Sequence, residues 1–430
     1  MTNFIPGDVS GSQTLTDNDH LYPDLISELR QSRAAAAVVG RTSKSEYYCD
    51  GTADNVQIQA AIDSVSEDGG GTVHIKKGTY SLGETLEVPG GVWLEGEGFS
   101  TVLFAANDLE DNVVINKNQS SGDTNVAIRN LTIDGNKTNQ TTVATDGNMD
   151  GIYFSNVSFS LLENLKIVNV KNRAIQGWYQ TNDSYFGIKK SIISNVYIDN
   201  CRNGIELHGY SDYNTIGNIY ITNLEETGQG LKIYATSRYN MVDNVSIFND
   251  GTSAAHGVEM RNNANYNVLN NIFIKNVGGL FSTTERYGFV IHSSTNNSVN
   301  NLVIYGGERE ALILTTDADH NNLSGVTVVD AWRQGIFLSG ADYNVFSGIR
   351  VLNSLCNGAP RSGIRVNASF YNRFCSGIIT DNQATKTQEY GVEEVGGSDY
   401  NDYVGLDLRG NKTGSSIGLG ANSNLHVSAT

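Results

Sequence analysis

Only 4 of the 430 residues are cysteine, at positions 49, 201, 356 and 375, and none pair in a Cys-x-x-Cys spacing. A disulfide framework or thiolate metal cage is thereby excluded as the basis of the fold, and the four are expected to be small buried residues. Proline is equally scarce at 4 while glycine reaches 46, a balance that suits many short strands joined by tight turns. Basic residues are outnumbered, 29 Lys and Arg against 46 Asp and Glu, for a net charge of −17. Such a surface excludes nucleic acid as a general partner, since phosphate backbones demand basic ground. No apolar run is long enough to cross a membrane, and Met1-Thr2-Asn3-Phe4-Ile5-Pro6 lacks the basic start and apolar core of a secretory signal.

What the chain does have is a repeat. Each unit reads Gly, apolar, any, apolar, any, then a short turn ending in Tyr-Asn, then a second apolar strand. Gly204-Ile205-Glu206-Leu207-His208 leads to Tyr213-Asn214, and Gly230-Leu231-Lys232-Ile233-Tyr234 leads to Tyr239-Asn240. Further units begin at Gly257, Gly288, Ala311, Gly335, Gly363 and Gly391, at intervals of 23 to 31 residues. That irregularity suits a β-solenoid with loops of varying length better than a fixed helical repeat. The recurrent asparagines are expected to stack as a structural ladder in αL turns. Period-two alternation places Ile205, Leu207, Leu231, Ile233, Val258 and Met260 in a dry core and turns Glu206, His208, Lys232, Tyr234, Glu259 and Arg261 outward.

Ahead of the repeat, Asp54 to Val65 reads as a capping helix with Asp54 and Gln57 as a candidate capping box. The segment Asp50-Gly51-Thr52-Ala53-Asp54 with Ile58-Gln59-Ala60-Ala61-Ile62, followed by Gly78-Thr79-Tyr80, Leu94-Glu95-Gly96-Glu97-Gly98 and Ile133-Asp134-Gly135-Asn136, resembles the opening of pectate-lyase-like β-helix proteins. That group includes polysaccharide lyases, hydrolases, epimerases and phage tailspikes. The resemblance implies an all-β, right-handed parallel β-helix (a single-stranded solenoid) with an N-terminal capping helix, a polysaccharide partner, an extracellular or virion-associated setting, and a homotrimer by likeness to tailspikes. It implies no particular chemistry. The Gly-His-Gly and Arg-Ile-Lys of polygalacturonases, the Asp-Pro-His of alginate epimerases and the Arg-x-Pro-x-x-Arg of plant pectate lyases are all missing. The expected organisation is an N-terminal extension over 1–45 for docking, attachment or oligomerisation, a cap with the first coils over 46–110, and the β-helix over 111–430. Within the extension, Leu21 to Arg33 reads as a short helix.

Aligned coils give two outward columns, Tyr153, Gln176, Glu206, Lys232, Glu259, Val290, Ile313, Phe337 and Ser155, Trp178, His208, Tyr234, Arg261, His292, Thr315, Ser339. Titratable and aromatic side chains crowd coils 153 to 292, which marks a candidate groove. Lys232, Arg261, His208, His256 and His292 would neutralise a uronate carboxylate while Tyr234 or His208 removes the adjacent proton, the combination β-elimination requires. In a rival reading Glu206 and Glu259, two rungs apart, are acid and base of an inverting hydrolase, with Asp150 able to replace either. A third reading is a non-catalytic glycan-binding fibre or adhesin. Glu206, Lys232 and Glu259 also fit a plain cross-strand charge ladder. Tyr153, Trp178 and Tyr179 are candidates for sugar binding, the last two as an exposed stacking platform. No cofactor is expected; Asp146, Asp150 and Asp183 are the candidate Ca²⁺ ligands, and they lack a regular spacing.

Overall fold

The computed structural model describes residues 35–427 apart from 143, 145–147, 179–186, 226–227, 250–255, 277–286, 308 and 355–361. The helix expected between Leu21 and Arg33 and the residues Tyr179, Asp146, Asp183 and Cys356 lie outside the described residues.

The chain winds as a right-handed parallel β-helix. Every strand pair is parallel, because each coil lays its strands on the same strands of the coil before it. Among the described residues one sheet has 13 strands and runs from Leu86–Val88 to Gly414–Ile417; a second has 19 and a third, short one has 3. Strands of the second sheet bend midway at a left-handed residue such as Asn195, Asn218, Asn244 or Asn271, where the register skips one position. Each coil therefore encloses one continuous apolar core, in which Ile205, Leu207, Leu231, Ile233, Val258 and Met260 are essentially inaccessible. Pairing continues to Asn424–Val427.

The N-terminal end is covered by the helix Asn55–Glu67, which buries Ile58, Ala61, Ile62 and Val65. The expected capping box does not form. The Asp54 carboxylate accepts from the Gly51 N–H at 2.8 Å, the Ser81 N–H at 2.9 Å and Arg41 Nη1 at 3.1 Å; satisfied by these three donors, it ties the cap to the first coil instead of closing the helix. Part of the expected N-terminal extension joins the solenoid, since Ala35–Gly40 pairs in parallel with Gly71–Ile75. Cys49 and Cys201 are buried as expected, while Cys375 is only half-buried because it sits on the outward side of its strand.

The asparagine ladder runs unbroken through Asn214, Asn240, Asn267, Asn297, Asn321, Asn344, Asn372 and Asn401. Each of the first seven donates its backbone N–H and its Nδ2 to the next Oδ1, as in Asn240 to Asn267 at 2.9 and 3.0 Å, and Asn401 ends the ladder by donating its N–H to Ser423 Oγ. The left-handed backbone belongs to the preceding residue, not to the asparagine: Tyr213, Tyr239, Tyr266, Tyr343, Tyr371 and Tyr400 all have φ between 56° and 60°. Stacking between rings one coil apart, at 5.0 Å for Tyr213 and Tyr239, offsets that backbone cost. Replacing Asn267 by Ala strips the acceptor from two buried donors of Asn240 and the donor from Ser237 O. We expect a loss of about 3 kcal/mol or more, measured as a fall in the urea midpoint.

Candidate functional site

The 13-stranded sheet carries the site. Its register aligns Tyr153, Gln176, Glu206, Lys232, Glu259, Val290, Ile313 and Phe337 in one outward column and His208, Tyr234, Arg261, His292, Thr315 and Ser339 in the next. Trp178 joins the second column through its ring, stacked on His208 with centroids 4.0 Å apart.

Outward does not mean open. Glu206, His208 and Glu259, expected to face solvent, are only 2 %, 6 % and 4 % exposed, as are Tyr153 at 4 % and Asp150 at 0 %. Rungs about 4.8 Å apart leave long neighbouring side chains no choice but to cover one another. His208 lies between the Trp178 ring and the Tyr234 ring, the latter centred 4.6 Å away. Trp178 is therefore half-buried and engaged with His208, not a bare stacking platform.

The buried charges alternate in sign. Asp150 accepts from the Arg173 N–H at 2.9 Å and lies 4.0 Å from its Nη1. Arg173 Nε donates to Glu206 Oε2 at 2.6 Å, and Lys232 Nζ donates to Glu206 Oε1 at 3.1 Å. On the next rung Arg261 Nε sits 3.1 Å from Glu259 Oε1. Burial alone would raise the Glu206 pKa, but the charges of Lys232 and Arg173 and the hydrogen bonds they donate outweigh it, holding the carboxyl below its ordinary value. Glu206 is thus a fixed anion that anchors two cations. A general acid needs the opposite shift, so of the two roles in the inverting-hydrolase reading the acid's does not suit Glu206.

Beside this chain lies a concavity of about 380 Å³ lined by Gln229, Lys232, Tyr234, His256, Glu259, Arg261 and Tyr287, within the usual size of small-ligand sites. Five of the residues expected from sequence meet there. Lys232 Nζ lies 4.5 Å from the centre of the Tyr234 ring, and Asn262 Nδ2 donates to Tyr234 Oη at 2.9 Å, fixing the phenol. His256 Nδ1 accepts from the Tyr287 N–H at 3.3 Å. In neutral imidazole this places the proton on Nε2, making His256 a donor rather than a base. His292, one rung beyond Arg261, is held below its ordinary pKa by burial and by Arg261. Asp150, Glu206 and His208 do not reach the concavity's lining.

Gln229 and Tyr287 were missed, although the repeat marks them. Each precedes the glycine that opens a coil, as do Asn203 and His256. Strict alternation would send that position inward. The glycines stand where coils touch: a Cβ on Gly230 would lie 2.7 Å from Gly257 O, and one on Gly257 2.4 Å from Gly288 O. The register skips Gly230 between Gln229 and Leu231, so the chain turns a corner there and the preceding residue joins the outer face.

Comparison with known proteins agrees with this architecture. Residues 48–247 match the family model described as rhamnogalacturonase A/epimerase, pectate lyase-like. Residues 278–412 match one described as periplasmic copper-binding protein NosD. Among the described residues no three His, Cys, Asp or Glu side chains converge. The mannuronan C5-epimerase AlgE4 of Azotobacter vinelandii is 35% identical over 109 residues, 23% of this chain and 19% of that protein. AlgE1 of the same organism is also 35% identical over 109 residues, but they make up 7% of its length. The chain therefore spans a small part of these curated relatives. Among solved structures, the A-module of A. vinelandii mannuronan C-5 epimerase AlgE6 superposes with a TM-score of 0.57 at 16% identity, covering 89% of this chain and 97% of that one. Gene product 12 of bacteriophage phi29 gives 0.66 at 16%, covering 95% and 57%. The chain thus has the right-handed parallel β-helix fold throughout, and over residues 48–247 it is similar to the pectate-lyase-like family.

Proposed function

We propose that this protein acts on an acidic, uronate-containing polysaccharide laid along the 13-stranded sheet, removing the proton beside a uronate carboxylate and completing a β-elimination. The observation that carries the reading is the placing of two cations, Lys232 and Arg261, around Tyr234 in one concavity on a protein of net charge −17. The cations meet the sugar carboxylate and the charge that grows on it as the neighbouring proton leaves. Tyr234, held by Asn262, is the group placed to move that proton. The His256 Nε2 proton supplies a further donor toward the bound sugar. Glu206 and Arg173 act from behind by holding Lys232 in place.

A second reading shares the first step and differs in the outcome: return of a proton to the opposite face of the same carbon, an epimerisation. It is favoured by the two curated relatives, both described as mannuronan C5-epimerases. An extracellular or virion-surface setting accompanies either reading.

The test is incubation of the full chain with polymannuronate and polygalacturonate, followed by ultraviolet absorbance and proton NMR. Elimination creates a conjugated double bond that absorbs; epimerisation changes the sugar resonances without absorbance. New reducing ends without absorbance would mean hydrolysis, and binding without any product would mean an adhesin; either result refutes the proposal.

A further inference from the structure

The concavity on the 13-stranded sheet is short along the helix axis. Its lining takes Gln229, Lys232 and Tyr234 from one rung and His256, Glu259 and Arg261 from the next, but only Tyr287 from the rung that follows. Two rungs span about 10 Å, which holds a short piece of a glycan and not a long one. What stands on either side therefore decides how a polymer can enter.

Beyond Tyr287 the sheet closes. The next outward residues of the first column, Val290 and Ile313, are 2 % and 5 % exposed and form one buried cluster with Tyr287, against which Phe337 packs. Sugar rings carry hydroxyls around their rims, and these lose free energy on apolar ground that offers no partner. The next cation of that column, Arg365, already pairs with Glu393 at 3.6 Å. The second column continues as His292, Thr315, Ser339 and Asn367, with no lysine or arginine to meet a carboxylate. Tyr287 is itself held in place. The Arg309 guanidinium lies 5.8 Å from the centre of its ring and the His256 ring 5.7 Å from it. Arg309 is paired in turn with Glu310 at 3.6 Å, and Glu310 with Arg333 at 3.7 Å. A ring fixed in this way is a wall.

On the opposite side the surface stays accessible. Tyr234 and Trp178 are both half-buried and are joined through the His208 ring between them. A chain seated at Lys232 and Arg261 thus has an aromatic track to leave by, toward the earlier coils. On the reading of this concavity as the polyuronate site, we propose that it seats the end of a uronate chain against Tyr287, so that the protein works inward from chain ends and does not engage the polymer at random along its length.

Oligomannuronates and oligogalacturonates carrying a bulky fluorophore at one end or at the other, titrated against the full chain, test the stop directly. A label at one end should abolish binding and a label at the other should leave it unchanged, because only one end reaches Tyr287. Tyr287→Ala, with unchanged circular dichroism, should bind both labelled forms, and its polymer digests should show a ladder of sizes where the wild type releases one small product from the outset. Wild-type binding of both labelled forms, or of neither, overturns the proposal. So does an early ladder of sizes in the wild-type digest, or a folded Tyr287→Ala that still tells the two ends apart. Should Tyr287→Ala fail to fold, the wild-type titration decides alone. End-dependent binding without an unsaturated product would keep the stop and remove the β-elimination; an unsaturated product with no discrimination between ends would keep the β-elimination and remove the stop.

Discussion

Lys232→Met is expected to lower kcat on a polyuronate by about 100- to 1,000-fold, the usual loss when one fixed group that meets developing transition-state charge is removed. Lys232 lines the concavity, and its ammonium lies 3.1 Å from Glu206 Oε1 and 4.5 Å from the Tyr234 ring centre. A uronate carboxylate arriving there competes with Glu206 for the same ammonium and gains most as proton removal moves charge onto it. The fold should tolerate the change. Glu206 keeps Arg173 Nε at 2.6 Å, so the cost is about 1 to 2 kcal/mol rather than the roughly 3 to 5 kcal/mol of a stranded buried charge. That is still more than the few tenths typical of exposed surface charges, because Glu206 is only 2 % exposed. Paired measurements of kcat, KM and thermal midpoint check it, with Lys275→Met on the 19-stranded sheet as a control. Wild-type turnover in Lys232→Met would remove the cation from the mechanism and move the site elsewhere on the sheet.

The sequence made the columns readable because pleating is a period-two rule that a solenoid repeats in every coil. Glu206 opposite Lys232 and Lys232 opposite Glu259 are found as alternation predicts. The rule says which side a residue takes and nothing about how deep it lies. Depth came from neighbours: Trp178 and Tyr234 close over His208, and Arg173 and Lys232 close over Glu206. Alternation also fails at corners, which is why Gln229 and Tyr287 were overlooked although the glycine after each signals the turn. The Tyr-Asn pairs were seen as a ladder but with the backbone strain on the wrong partner, since αL tendency favours Asn by composition and here falls on Tyr. A second set of asparagines, including Asn195, Asn218 and Asn244, links coils at the bend of the larger sheet, with Asn218 Nδ2 donating to Asn195 Oδ1 at 3.0 Å and Asn244 Nδ2 to Asn218 Oδ1 at 2.8 Å. It went unrecognised because no aromatic partner flags it in the sequence.

Glu206→Gln should be the most destabilising of the site substitutions, at about 3 kcal/mol or more. Removing that anion leaves Arg173 and Lys232 as adjacent, largely buried cations, with side-chain exposures of 8 % and 19 % and with Asp150, 4.0 Å from Arg173, as a more distant counter-charge. The effect should depend on pH in a defined direction. In the folded protein the Glu206 carboxyl is held below its ordinary value by Lys232 and Arg173. Its contribution to stability is therefore complete above the unfolded value and drains away as pH falls through the folded one. Once protonated, the wild-type side chain is a neutral near-isostere of glutamine, so the two proteins should converge. Urea denaturation of both from about pH 7 to about pH 3 would show a gap that is wide and constant near neutrality and narrows below the ordinary carboxylate range. A gap of the same size at every pH would mean that Glu206 stabilises through shape alone, and the alternating chain of charges would lose its central anion as an electrostatic anchor for Lys232.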